Sequence, residues 1–243
     1  MISLESLVAA LRSDDPNLRQ KAAMQLGAQD ASAVMHALVP LMATEPNDYV
    51  RETLIWAVVA QPKAATPQLV AALDRADLPK EPVLHALSKV GDPATVGAIL
   101  PHAADADPVV AAKAWWALGR IASHESLATL ISHLGSDQAS LRHGLTRALL
   151  QFGAPAIDAL AEALDSDEPA VRSHAAEVLV AFADPTHYGT VERRSGLDFS
   201  EKAADVLRAS KAPEVDGALL LATVTDDRPG LLEAANRLRD ERS

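Results

Sequence analysis

The chain offers few side chains in arrangements that could perform catalysis. It has eight histidines and no cysteine, which excludes disulfides and thiolate zinc sites. The one His-Glu pair is His124-Glu125, and there is no Gly-rich phosphate loop, serine nucleophile elbow or His-Glu-x-x-His motif. His102 and His133 are equivalent in spacing, but no carboxylate recurs beside them. We therefore predict no catalytic residue, no metal site and no cofactor.

Aromatic and basic side chains indicate binding instead of catalysis. Trp56, His85, Trp116 and Arg147 follow one another at intervals of 29 to 31 residues, and Arg120 and His143 lie one turn away from two of them. Exposed Trp and Arg are the residue types that most often dominate binding energy at interfaces. The spacing predicts a repeated structural unit that presents these six residues on a common surface.

A repeated amphipathic helix accounts for this spacing. Leucine or isoleucine recurs every 30 or 31 residues, at Leu7, Leu38, Leu69, Ile99, Leu130 and Leu160. Most copies are apolar three residues before and one and four residues after this position, which is the stripe of an amphipathic helix. Periodicity at this length is typical of solenoid proteins built from stacked hairpins.

A second helix follows each of these helices after a turn. Its inner positions are four residues apart, as in Val50, Leu54 and Val58. Several turns carry Asp or Glu before proline, which predicts a helix start because proline lacks only an N–H that is unpaired there. The predicted second helices begin near residues 18, 50, 79, 110, 141, 171, 199 and 231.

The repeats predict an all-α fold, a right-handed α-α superhelix of about eight helical hairpins. We expect a single repeat domain over residues 1–243, with regular repeats in 1–184 and degenerate or capping repeats in 185–243. The weakest first helix lies between Asp184 and Ser195, and the insertion from Tyr188 to Asp198 interrupts the pattern there. Whether this insertion covers a binding surface is left open by the sequence.

The segments LRQKAAMQLG at Leu18, VVAAKAWWALGRI at Val109 and VRSHAAEVL at Val171 resemble the HEAT-repeat family, and more narrowly its phycobilisome-lyase-type repeats. The resemblance covers essentially the whole chain and implies that second helices line a concave groove. Trp56, His85, Trp116, Arg120, His143 and Arg147 are then candidate groove residues. The alternative is that tight curvature packs the tryptophans between neighbouring second helices. Trp115 points elsewhere on the helix and is expected to be packed.

Arginine also recurs in the first turn of the second helices, at Arg19, Arg51, Arg142 and Arg172. These residues could form a basic stripe for an acidic ligand. We favour a structural role, in which they bind turn carboxylates such as Asp15, Asp48 and Asp167.

The net charge of −11 favours a basic protein or peptide partner and disfavours nucleic acid. We expect a cytoplasmic protein, because the N-terminus lacks a basic signal region and no apolar run is long enough for a membrane helix. The oligomeric state is left open. The leading hypothesis is a non-enzymatic scaffold or adaptor that binds its partner in the groove.

Two other functions follow from the resemblance. Phycobilin lyases share this repeat, which makes a phycobilin-lyase-like enzyme or chaperone the first alternative. HEAT-like DNA glycosylases have a similar length and groove tryptophans, but need a basic concave face, which the acidic composition disfavours. Deoxyhypusine hydroxylase holds iron with several His-Glu pairs, and His124-Glu125 is the only such pair in this sequence.

Overall fold

The computed structural model describes residues 2–187 and 189–243, and these residues form helices and turns with no β-strand. Sixteen α-helices alternate as the first and second helices of eight hairpins. The first helices are α1 Leu4–Ala10, α3 Met35–Thr44, α5 Pro62–Leu73, α7 Val96–Ile99, α9 His124–Ile131, α11 Ala154–Ala163, α13 Thr190–Ser195 and α15 Pro213–Thr225. The second helices are α2 Pro16–Gly27, α4 Asp48–Val59, α6 Lys80–Val90, α8 Pro108–Ile121, α10 Ala139–Leu149, α12 Pro169–Phe182, α14 Ser200–Ala209 and α16 Pro229–Arg242.

The predicted hairpins are confirmed, and each second helix begins within two residues of its predicted start. Pro16, Pro108 and Pro169 each occupy the first turn of a helix, as the acidic-proline turns predict. The Glu45-Pro46 turn differs: α4 begins at Asp48 because Asn47 is its N-cap and accepts hydrogen bonds from the Tyr49 and Val50 amides.

The apolar stripes form the core. The six recurring first-helix residues from Leu7 to Leu160 are all buried. Two positions four residues apart are buried in each of the eight second helices, from Ala22 and Leu26 in α2 to Ala234 and Leu238 in α16. The alternation of alanine with leucine or valine at these positions lets neighbouring helices approach closely. Only the fourth first helix is irregular, because Pro93 and Pro101 confine α7 to four residues flanked by 3₁₀ turns.

The chain forms two compact units, Met1–Ala117 and Leu118–Ser243, which we call unit 1 and unit 2. In unit 1, α2 packs on α4 and α4 on α6, while α3 packs on α5. In unit 2, α12 packs against α10, α11, α14, α15 and α16. The single domain over residues 1–243 stays a prediction.

The four first-turn arginines have the predicted structural role. Nη1 of each donates to the backbone carbonyl six residues earlier, namely Ser13, Glu45, Ser136 and Ser166. Each guanidinium also binds a carboxylate, and Arg19 holds both oxygens of buried Glu45 at 2.9 and 2.8 Å. Asp48 is a partner as predicted, whereas Arg19 and Arg172 bind Glu45 and Glu214 of later turns. These arginines therefore tie each turn to a neighbouring hairpin.

The last 60 residues depart from the regular repeat. Helix α13 has only six residues, and α15 packs mainly against α12 and α16. The predicted insertion packs on the turn between α10 and α11: the Val191 amide donates to the Gln151 carbonyl at 3.1 Å, and Thr190 Oγ1 donates to the Gln151 side chain at 2.7 Å. Glu192 is buried and accepts from the Gly189 and Phe199 amides. Tyr188 lies outside the described residues.

The central position of α12 makes a stability prediction possible. Leu179 on α12 is fully buried, so Leu179→Ala should lower the free energy of unfolding by about 2–5 kcal/mol through lost burial and an unfilled cavity. Leu197→Ala removes the same side chain at a site that is 57% exposed, and should change it by less than about 0.5 kcal/mol. Urea denaturation of both variants checks this, and equal losses would contradict the assignment of α12 as core.

Candidate functional site

The candidate binding surface of unit 1 is formed by the outward sides of α2, α4 and α6 and the first part of α8; we call it the second-helix face. Trp56 on α4, His85 on α6 and Trp116 on α8 come from three successive second helices. They differ in exposure: Trp56 is 49% exposed, whereas His85 and Trp116 are half-buried. The prediction that Trp115 is packed is confirmed, since it is buried and its indole N–H donates to the Ala103 carbonyl at 2.9 Å.

Trp56 rests on the preceding second helix. A Cβ placed on Gly27 of α2 would lie 2.1 Å from the Trp56 ring, so the indole occupies the space that a side chain would take. Met24 lies one turn before Gly27 on α2 and is 55% exposed. Trp56 thus has one side packed, as the curvature alternative expected, and the other open to solvent next to an exposed methionine.

An ion-pair network joins α4 to α6 beside Trp56. Glu52, one turn before Trp56, binds Lys89 Nζ at 2.7 Å and His85 Nε2 at 3.1 Å. Partial burial raises the pKa of Glu52, but the Lys89 hydrogen bond and the charges of Lys89 and His85 outweigh it, so the pKa is lowered. Burial and the charge of Lys113 lower the pKa of His85, whose buried Nδ1 has no hydrogen-bond partner among the described residues. A further pair, Lys113 with Glu81 at 2.7 Å, links α6 to α8.

The remaining predicted site residues lie in unit 2. His143 and Arg147 are both exposed and lie one turn apart on α10, and Arg120 is half-buried at the end of α8. His143 also lines a pocket of about 410 Å³ between α10, α12, α15 and α16. The pocket wall combines apolar Val180 and Leu221 with the ion pair of Arg142 and Glu177. The sequence reasoning missed this pocket because it treated α15 as an ordinary first helix.

His174, expected near the groove from its helix position, is instead fully buried in α12. Its Nδ1 accepts from the Gly135 amide at 3.3 Å, while Nε2 lies 3.1 Å from Thr146 Oγ1 and 3.2 Å from the Arg142 carbonyl. Because Thr146 donates its own proton to the Arg142 carbonyl, Nε2 of His174 is the donor and the ring is neutral. Burial and the charge of Arg142 lower the pKa of His174 to about 4.

Acidic side chains of this kind do not gather into a metal-binding set. Within residues 2–187 and 189–243, no group of three or more His, Asp or Glu side chains is placed to hold a metal ion. His102 lies 3.6 Å from an Asp105 carboxylate oxygen, and burial lowers the pKa of His133. In the same described part of the chain, no helix combines the length and apolar character needed to cross a membrane.

The buried neutral His174 predicts a pH dependence of stability. Its pKa is lower in the folded chain than the ordinary value of about 6.5, so the unfolded chain binds more protons between pH 6.5 and 4. Stability from this group is therefore present above pH 6.5 and is lost as the pH falls toward 4, with a total of about 3 kcal/mol. His174→Gln should be less stable at pH 7 but show a shallower loss between pH 6.5 and 4.5 in urea titrations. Parallel curves for the two proteins would contradict this role.

The contact of Trp56 with Gly27 predicts that one methyl group can move the indole. Gly27→Ala should turn the Trp56 ring out of its present position, because the new Cβ and the ring cannot both fit. Its effect on stability should be small, since alanine gains about 1 kcal/mol of helix propensity over glycine. Tryptophan emission should shift to the red relative to wild type, and Gly97→Ala, which meets no neighbouring atom, is the matched control. An unchanged emission maximum would contradict the packing of Trp56 on α2.

Comparisons with solved structures find helical repeat proteins. The chain matches the phycocyanin lyase complex of CpcE and CpcF from Nostoc sp. PCC7120 with 20% identity and a TM-score of 0.46, over 100% of this chain and 96% of that chain. Human deoxyhypusine hydroxylase matches with 19% identity and a TM-score of 0.40, over 98% and 95% of the two chains. A designed armadillo repeat protein matches with 15% identity and a TM-score of 0.32, over 99% and 100%. No functionally curated protein shows a significant sequence match.

The model of HEAT repeats matches residues 4–81 and 66–150, which is more than half of the chain. The two matched ranges overlap and run from α1 to the end of α10, the part in which the hairpins are most regular. The chain belongs to the HEAT-repeat family.

Proposed function

We propose that this HEAT-repeat chain is a non-enzymatic scaffold or adaptor that binds a protein or peptide on the second-helix face of unit 1. The observation that carries the proposal is the half-exposed Trp56 on a rigid helix, beside exposed Met24. A tryptophan ring offers a large apolar area whose burial loses little conformational freedom, which makes it the strongest type of interface anchor. His85 and Trp116, on the next two second helices, would contact the partner with their exposed parts.

The surroundings of Trp56 support a preformed binding surface. The ring is held from below by Gly27, and Glu52 joins α4 to α6 through Lys89 and His85. A side chain that is already fixed before binding loses less entropy when a partner covers it. Tyr49, 80% exposed and two turns before Trp56 on α4, extends the same side of the helix. The anchor can therefore act without a large rearrangement of the helices.

The charge of the chain supports a basic partner. The net charge is −11, so the field around the chain attracts cationic peptides and increases their association rate. On the second-helix face itself, Glu52 and Glu81 are paired with Lys89, His85 and Lys113. We therefore expect charge to act mainly in steering and Trp56 to provide most of the affinity. His143, Arg147 and Arg120 in unit 2 are proposed as additional contacts for polar parts of the partner.

A displayed peptide library tests this function. Selection on wild type, with peptides that bind Trp56→Ala removed, should enrich sequences rich in Lys or Arg. The selected peptides should bind Trp56→Ala at least about tenfold more weakly in calorimetry, because the loss of a tryptophan anchor costs more than about 1.4 kcal/mol. Their affinity for wild type should fall as salt rises.

Leu197→Ala is the matched control, since it removes an exposed apolar side chain from unit 2. It should bind the selected peptides as wild type does. Circular dichroism and urea denaturation establish that both variants fold. Peptides that bind Trp56→Ala and wild type with equal affinity would refute the anchor, and enrichment of acidic or uncharged peptides would refute the basic partner.

A further inference from the structure

Helix α15 carries two separate apolar stripes. One consists of Val215, Ala218, Leu219 and Ala222, which are buried and face α12 and α16. The second consists of Gly217, Leu220, Leu221 and Val224, which have the same spacing and lie two residues further along. Each set has the i, i+3, i+4, i+7 spacing that puts its members on one side of a helix. We call the second set the outer stripe.

The outer stripe faces solvent. Leu220 is 49% exposed, Leu221 47% and Val224 69%, so three large apolar side chains are open within five residues. A Cβ placed on Gly217 would meet no atom within 4 Å, so no described side chain covers this end of the stripe either. Single exposed apolar residues are normal on a protein surface, but a contiguous row along one helix is typical of an interaction surface.

The polar residues at the ends of the stripe already have partners within the chain. Asp216 binds Arg242 Nε at 2.8 Å, and Asp226 binds Arg228 Nη2 at 2.8 Å. These carboxylates are therefore satisfied and give little reason for a basic partner to settle here. The stripe suits an occupant that presents an apolar row of matching shape and needs no new charge pair.

The sequence of the stripe matches itself when two copies run antiparallel. If the symmetry axis passes between Leu220 and Leu221, Leu220 of one helix faces the partner subunit's Leu221. Val224 then faces the partner subunit's Gly217. The bulky β-branched side chain of Val224 meets the one position without a side chain, so the helices can approach closely at both ends. A two-fold axis produces both contacts twice, as in most homodimers.

We propose that the outer stripe of α15 is a homodimer interface in which two copies of this chain pair α15 antiparallel. The 13 residues of α15 span about 20 Å, so one helix pair buries less area than a standard interface. We therefore expect a reversible dimer with a dissociation constant on the order of micromolar. The pocket next to Leu221 leaves room for side chains of the second copy at the edge of the pair.

Sedimentation velocity of the full chain tests the proposal. Between about 1 and 500 µM, a range set by the expected affinity, the mass of wild type should rise from 25.6 kDa toward twice that value. Higher salt should strengthen the dimer, because each copy carries a charge of −11 and screening weakens their repulsion. A basic partner would show the opposite salt dependence.

Two variants separate the interface from the fold. Leu220→Glu should remain monomeric over the whole range, while Leu197→Glu, at an exposed leucine elsewhere in unit 2, should dimerise as wild type does. Gly217→Leu should also weaken the dimer at least tenfold, because it fills the position that Val224 needs. This variant should not impair folding, since the added side chain meets open space on a helix and replaces a poor helix former.

Cross-linking tests the antiparallel register. The chain has no cysteine, so introduced thiols react without background. Under mild oxidation, a mixture of Gly217→Cys and Val224→Cys chains should form disulfide-linked dimers faster than either variant alone. A chain that stays monomeric at all concentrations would refute the homodimer and assign the outer stripe to a different partner. A dimer unaffected by Leu220→Glu and Gly217→Leu would place the interface elsewhere, and preferential linking of identical variants would refute the register.

Discussion

The structure depends on the burial of alanine and leucine between neighbouring hairpins. Each second helix has two buried positions four residues apart, and the larger side chain of one hairpin packs where its neighbours are small. A single hairpin cannot cover both of its apolar sides, so each is stable only with its neighbours. The arginines at the start of the second helices add direction to this packing. They bind the carbonyl of their own turn and a carboxylate, which in three of the four cases belongs to a later element.

The same need for burial explains why the end of the chain is different. Helix α12 is apolar on nearly all sides, and its residues from His174 to Phe182 are buried except Glu177. A helix of that composition must be surrounded, and α15 covers the part that α10, α11 and α14 leave open. Helix α15 is itself apolar on two sides and α12 uses only one of them. The outer stripe is thus a consequence of how the last hairpin packs, and it gives the chain an apolar surface separate from the second-helix face.

The two candidate surfaces differ in physical character. On the second-helix face, Trp56 lies within a network of paired charges that holds α4 against α6. The outer stripe of α15 contains no charge, and the carboxylates at its ends are paired within the chain. The first surface combines one large anchor with polar surroundings, as interfaces with separate partners commonly do. The second matches its own shape, which is the property that a two-fold interface requires. The chain could therefore bind a partner and associate with itself through different helices.

The sequence by itself determined the helices, their pairing into eight hairpins and the core positions, because amphipathic spacing and proline-marked turns are local properties of the chain. It also placed Trp56, His85 and Trp116 on successive second helices, since helix register follows from residue number. Only the tertiary structure decided how exposed each one is, because exposure depends on what neighbouring helices place beside it. Gly27 supports Trp56, and burial within α12 turns His174 from a surface candidate into a core residue. The position of α15 on α12 was likewise invisible in the repeat pattern, because an apolar helix with two stripes can bury either side and only its contacts select one.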